Sequence, residues 1–225
     1  GKSMGEKISI TASDGHEFSA YLSTPSGPSK AAIIIVQEIF GVNKHIQNLT
    51  NNFATRGYAT IAPAFFDRIE KDIDLDYSSE SVEKGKTLKS KFSWDDSIID
   101  IRATVNYIRD YGSVGLVGYC MGGSIAWIAA TRDSGINASV GYYGGNIINF
   151  IKEKPNVPCM LHFGEKDSTI PLSDITKIND EHPDVKSHLY ENADHGFNCD
   201  LRKSYDANSS KLALERTLGF LDNNL

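Results

Sequence analysis

"VGLVGYCMGGS", residues 114 to 124, carries an apolar run, Val114-Gly115-Leu116-Val117, straight into Gly118, Tyr119, Cys120 and a glycine pair. An apolar run that stops at a glycine, with a helical pattern directly behind it, predicts a strand, a sharp turn and a helix. Cys120 then stands at the apex with a helix N-terminus behind it. Such a turn needs small residues two before and two after the apex, because the backbone crowds the neighbouring strand and helix there. Gly118 and Gly122 meet that need. A side chain held this way is presented as a nucleophile.

Outward from this turn, strands and helices alternate. Residues 6 to 23 alternate polar and apolar around Asp14-Gly15, which predicts an opening hairpin. "AAIIIVQ" (31 to 37) lacks polar alternation and fits a parallel strand covered on both faces, stopping at Glu38. A helix is expected from Asn43 to Arg56 with Gly57 as its cap, then the strand "YATIA" (58 to 62). Residues 67 to 91 are polar and poorly periodic, so a loop with a short exposed helix is expected. Trp94, Ile98, Ile101, Val105 and Ile108 form a helical stripe ending before Gly112. Then follow strand 114 to 118, helix 121 to 132, strand 138 to 143, a loop with a short helix, strand 157 to 163, helix 171 to 181, strand 185 to 190 and a helix from about Ser204 to Asn223. The expected fold is α/β: a mostly parallel twisted sheet with helices on both faces and an N-terminal hairpin.

In such a sheet, functional groups gather where loops leave the carboxyl ends of strands. Four polar residues fall there: Glu38, Cys120, Asp167 and His195. Nucleophile, acid and histidine follow the chain order of an α/β-hydrolase triad, and Gly118-x-Cys120-x-Gly122 is its nucleophile elbow with sulfur in place of oxygen. Thiolate is the reactive form of cysteine, and a helix N-terminus and a histidine both favour it. Cys120 is then expected to attack an ester or lactone carbonyl. The backbone N–H groups of Met121 and Ile39 would meet the oxyanion, His195 would move the proton, and Asp167 would orient it. Glu38, a carboxylate near a thiol, should keep Cys120 protonated at rest. The competing expectation is a non-enzymatic thiol module that senses oxidant or binds a carbonyl ligand; it has no use for Asp167 or His195.

Composition narrows the classes. A chain of 225 residues with 40% hydrophobic and 23% charged content can bury a sizeable core and is no disordered segment. One α/β domain is expected over residues 6–225, with residues 1–5 a tag remnant and flexible N-terminus. A net charge of -6, with no basic-aromatic cluster, speaks against nucleic acid and acidic membranes. No run of about 18 apolar residues and no signal-peptide pattern appears, so a cytoplasmic chain is expected. Three cysteines, Cys120, Cys159 and Cys199, do not suggest a disulfide framework. "EKGKT" (83 to 87) lacks the first glycine of a phosphate loop, and no histidine pair has metal-ligand spacing, so no metal is expected.

"QEIFGVN" (37 to 43), "GYCMGG" (118 to 123), "GYYG" (141 to 144), the Asp167 loop and "HGF" (195 to 197) resemble the dienelactone hydrolase family of α/β-hydrolases, in the same order over residues 6 to 221. The resemblance implies a Cys120-Asp167-His195 triad and a Glu38 that holds the resting thiol. It also implies a lid-like region near residues 67 to 92, no cofactor, a small ester or lactone substrate and a monomer. It departs at the arginines that grip a substrate carboxylate: residues 78 to 92 contain none, and the position four past His195 is Cys199. Arg202 is the nearest replacement and Arg68 a weaker one. Arg202 and Tyr143 are the expected substrate contacts.

Overall fold

A computed structural model describes residues 5–225; Gly1 to Met4, expected to be a tag remnant, lie outside the described residues. The architecture is a single eight-stranded sheet in the order β1-β2-β4-β3-β5-β6-β7-β8. The hairpin β1 (Gly5–Thr11) and β2 (Glu17–Ser23) joins antiparallel to β4 (Tyr58–Pro63), turning at Gly15 with φ +87°. β3 (Ala31–Val36), β4, β5 (Val114–Tyr119), β6 (Ala138–Tyr142), β7 (Cys159–Gly164) and β8 (Lys186–Tyr190) run parallel. Every residue of β3 through β7 is buried, which is why these strands read as unbroken apolar runs.

Helices α1 (Lys44–Thr55), α2 (Ser79–Ser90), α3 (Trp94–Ile108), α4 (Met121–Thr131), α5 (Leu172–Glu181) and α6 (Ala207–Asn224) connect and follow the strands. Alternation along β5 shows that both faces are covered. A Cβ on Gly115 would meet Leu221 and Leu225, which close the C-terminal helical segment, whereas one on Gly118 would meet Gly122 in α4. Caps fix the helix starts: Asn43 accepts from the Ile46 N–H, Ser93 from Asp96 and Asp206 from Ser209.

The α3 stripe is as expected, with Ile98, Ile101, Val105 and Ile108 buried. Two elements differ. The Asp206 cap sets the start of α6 at Ala207, not near Ser204. Within 67–91, α2 is a full helix of 12 residues rather than a short one, although Gly85 and Leu88 are its only buried residues. Two buried positions give too little apolar periodicity to reveal a helix. No helix of the described residues is long and apolar enough to cross a membrane.

Candidate active site

Cys120 leaves β5 with φ +60° and ψ -119°, a left-handed conformation rare for a residue with a Cβ. The strain is held on both sides. A Cβ on Gly118 would lie 1.8 Å from the Gly122 carbonyl oxygen, and one on Gly122 would lie 2.3 Å from that of Val36, so neither position accepts alanine. The Cys120 N–H donates to the Tyr142 carbonyl at 3.0 Å, and α4 begins at the next residue.

His195, in the loop after β8, brings Nε2 to 3.1 Å from Cys120 Sγ. Its Nδ1 lies 2.7 Å from Asp167 Oδ2, in the loop after β7. The Asp167 carboxylate is fully buried and the imidazole keeps 19% of its surface. Thr169 steadies the pair: its N–H and Oγ1–H donate to Asp167 Oδ1 at 2.9 and 2.6 Å, and its hydroxyl lies 3.3 Å from His195 Nδ1. Nothing in the sequence marks Thr169, a common residue in a polar turn.

Charge follows from these contacts. Burial alone would raise the Cys120 thiol, but the His195 imidazole beside it brings the thiol below its ordinary value, helped by the Met121 N–H and opposed by Glu38. Burial works against a charged His195, yet Cys120 and Asp167 together raise it to about 10. Burial likewise works against the Asp167 carboxylate, and its bond to His195 holds it below the usual carboxylate range. Each partner therefore favours the charged state of the next.

Glu38 lies at the end of β3 and is wholly buried. It repels a thiolate in the expected direction, but His195 outweighs it, so Glu38 does not by itself hold the thiol protonated, and neither of its oxygens bonds the thiol: Oε1 accepts from the Tyr77 hydroxyl at 2.6 Å, and Oε2 faces Arg202 Nη1 at 3.7 Å. Tyr77 comes from the segment before α2, where no sequence pattern points to it. Arg202 runs past Gly196, beside His195, and its guanidinium sits over the rings of Tyr77 and Phe40 at 5.5 and 5.7 Å. Arg68 is engaged elsewhere, bonded to Asp14 and Asp100. Tyr143, expected to touch substrate, is instead fully buried, with its ring 5.0 Å from that of His195.

Ile39 follows Glu38, and α2 packs on it so closely that a Cβ on Gly85 would lie 2.4 Å from its carbonyl oxygen. Lys89 of α2 also reaches Asn146, after β6, at 2.7 Å. Among the described residues, one group of mixed donors could hold a metal: Glu38, His45 and Cys199, all buried, each offering an atom within 4.8 Å of the others.

The sequence pattern of the dienelactone hydrolase family matches residues 18–225. A carboxymethylenebutenolidase of Pseudomonas putida is 34% identical over 228 aligned positions, covering 97% of this chain and 96% of its own. Carboxymethylenebutenolidase 1 of Cupriavidus pinatubonensis is 29% identical, covering 97% of each. A crystal structure of a Klebsiella pneumoniae protein assigned as a dienelactone hydrolase superposes with a TM-score of 0.82 at 27% identity, over 96% of this chain and 98% of that one. Sequence and fold thus agree along nearly the whole length, and the chain belongs to the dienelactone hydrolase family, as a dienelactone hydrolase-like hydrolase.

Proposed function

We propose that this hydrolase cleaves a carboxylic ester or enol lactone through a thioester on Cys120. The observation that carries the proposal is the continuous contact from Cys120 Sγ to His195 Nε2 and from His195 Nδ1 to Asp167 Oδ2, at 3.1 and 2.7 Å. The sulfur attacks the carbonyl carbon and the carbonyl electron pair moves to oxygen. The N–H groups of Met121 and Ile39 stabilise that oxyanion, a donor of this kind being worth about 3 kcal/mol. His195 gives a proton to the departing alkoxide or enolate and then takes one from water as the water attacks the thioester. Asp167 holds the imidazole in one tautomer and stabilises its charged form. Tyr143 backs the imidazole ring, and Arg202 borders the space in front of Glu38, where it contacts the acyl portion of the substrate.

A thiol sensor would need the elbow alone. The buried Asp167 and its Thr169 support hold His195 in the place and tautomer that repeated proton transfer needs, which favours turnover. The test is hydrolysis of p-nitrophenyl esters of short acids. A burst of p-nitrophenol followed by steady release is expected from the native protein, while Cys120→Ala should lose about 10⁴-fold or more in kcat/KM with an unchanged circular dichroism spectrum. Native-like turnover by Cys120→Ala, or one equivalent released with no steady phase, would sink the proposal.

A further inference from the structure

Glu38, His45 and Cys199 come from three separate segments: the end of β3, the first turn of α1 and the loop after β8. All three are buried, and one donor atom from each lies within 4.8 Å of the others. Their hydrogen bonding is incomplete. Glu38 Oε2 and His45 Nε2 are both buried with no hydrogen-bond partner, an unfavourable state for a carboxylate and an imidazole. Arg202 Nη1 forms an ion pair with Glu38 Oε2 at 3.7 Å, which is too long for a hydrogen bond.

We propose that Glu38, His45 and Cys199 form a binding site for a borderline divalent transition cation of the zinc class. The donor set selects the ion: carboxylate oxygen, imidazole nitrogen and thiolate sulfur suit Zn²⁺, whereas Mg²⁺ and Ca²⁺ seek oxygen throughout. Charge closes as well. The carboxylate and the thiolate balance the dication, the imidazole stays neutral, and the Cys199 S–H proton passes to solvent as the metal–sulfur bond forms. Three protein donors leave a fourth tetrahedral position for water. Tetrahedral donors lie about 3.5 Å apart, so the ion must draw these side chains, whose donor atoms lie within 4.8 Å of one another, together by up to about 1 Å.

His45 is the member of the site nearest open space. His45 lines a cleft of about 510 Å³ with Asn43, Asp74, Asp76 and Tyr77, whose two carboxylates attract a cation, with Lys44 opposing them. Arg202 is the competitor within, because its guanidinium shares Glu38 with the ion. Glu38 belongs both to this site and to the surroundings of Cys120, and binding does not depend on whether the protein turns over esters.

The test is a Co²⁺ titration of Cys120→Ala, which removes the thiol at the elbow, read by the thiolate-to-cobalt charge-transfer absorption, with Zn²⁺ affinity then measured by competition against a chromophoric chelator. One equivalent should bind with the thiolate band present. The band should disappear when Cys199→Ala or Cys199→Ser is added, each checked for folding by circular dichroism. His45→Gln should weaken binding about 100-fold, since even outer partners of metal ligands are worth 10- to 100-fold. Arg202→Ala should tighten it. No band in Cys120→Ala, a band that survives loss of Cys199, or affinity unchanged in His45→Gln or Arg202→Ala would each overturn the site.

Discussion

The charge on Cys120 is settled by a contest between burial and Glu38, which both favour the thiol, and His195, which favours the thiolate and prevails. The sign of its pH dependence follows. A thiol lowered below its ordinary range beside an imidazole raised to about 10 shifts the balance toward the ionic pair. The iodoacetamide rate at Cys120 should therefore fall with pH through an inflection below that of an ordinary cysteine. Glu38→Gln removes a raising influence and should carry that inflection to lower pH. His195→Gln removes the lowering influence while burial remains, so its inflection should move above that of an ordinary cysteine. An inflection unmoved in Glu38→Gln would show that Glu38 does not bear on the thiol, and one unmoved in His195→Gln would remove the basis for the pair.

Helix α2 presses on the segment that carries the proposed second oxyanion donor. Gly85 lies against the Ile39 carbonyl, so an added methyl must push α2 outward or rotate the Ile39 peptide. Gly85→Ala should lower kcat by up to about 100-fold, the scale of one lost oxyanion donor, while KM and the Cys120 alkylation profile stay near native. An unchanged kcat would show that α2 does not set the Ile39 peptide. This element was also the hardest to see in the sequence. The parallel strands were legible because burial on both faces demands unbroken apolar runs. The elbow was legible because Gly118 and Gly122 have no room for a side chain, and Cys120, Asp167 and His195 because each follows the carboxyl end of a strand. By contrast, α2 buries little and leaves no stripe. Tyr77 and Thr169 act through single hydroxyl contacts made by tertiary closeness, which no spacing along the chain encodes. Tyr143 lay in a motif, but its position behind the imidazole depends on β6 ending where φ turns to +36°.

Across the molecule, Arg68 ties three separated regions together. Its guanidinium meets Asp14 in the hairpin turn and Asp100 in α3 at 2.8 Å each. The Asp100 side chain is only 1% exposed, so removing its partner leaves a buried charge without compensation. Arg68→Ala should cost about 3 kcal/mol, lowering Tm by roughly 6–12 °C for a chain of this size. Arg68→Met combined with Asp100→Leu should recover most of that loss. A Tm within about 2 °C of native in the single variant would show that Asp100 does not need the pair. The same long-range construction governs the elbow. Cys120 and His195 are 75 positions apart, and the strands β6, β7 and β8 must be laid down between them. A ribosome working from the N-terminus therefore delivers the sulfur well before the imidazole. Until β8 has joined the sheet, the nascent chain carries no more than an ordinary cysteine. Reactivity arrives last in synthesis, and a translation product that ends short of residue 195 is inert from the start.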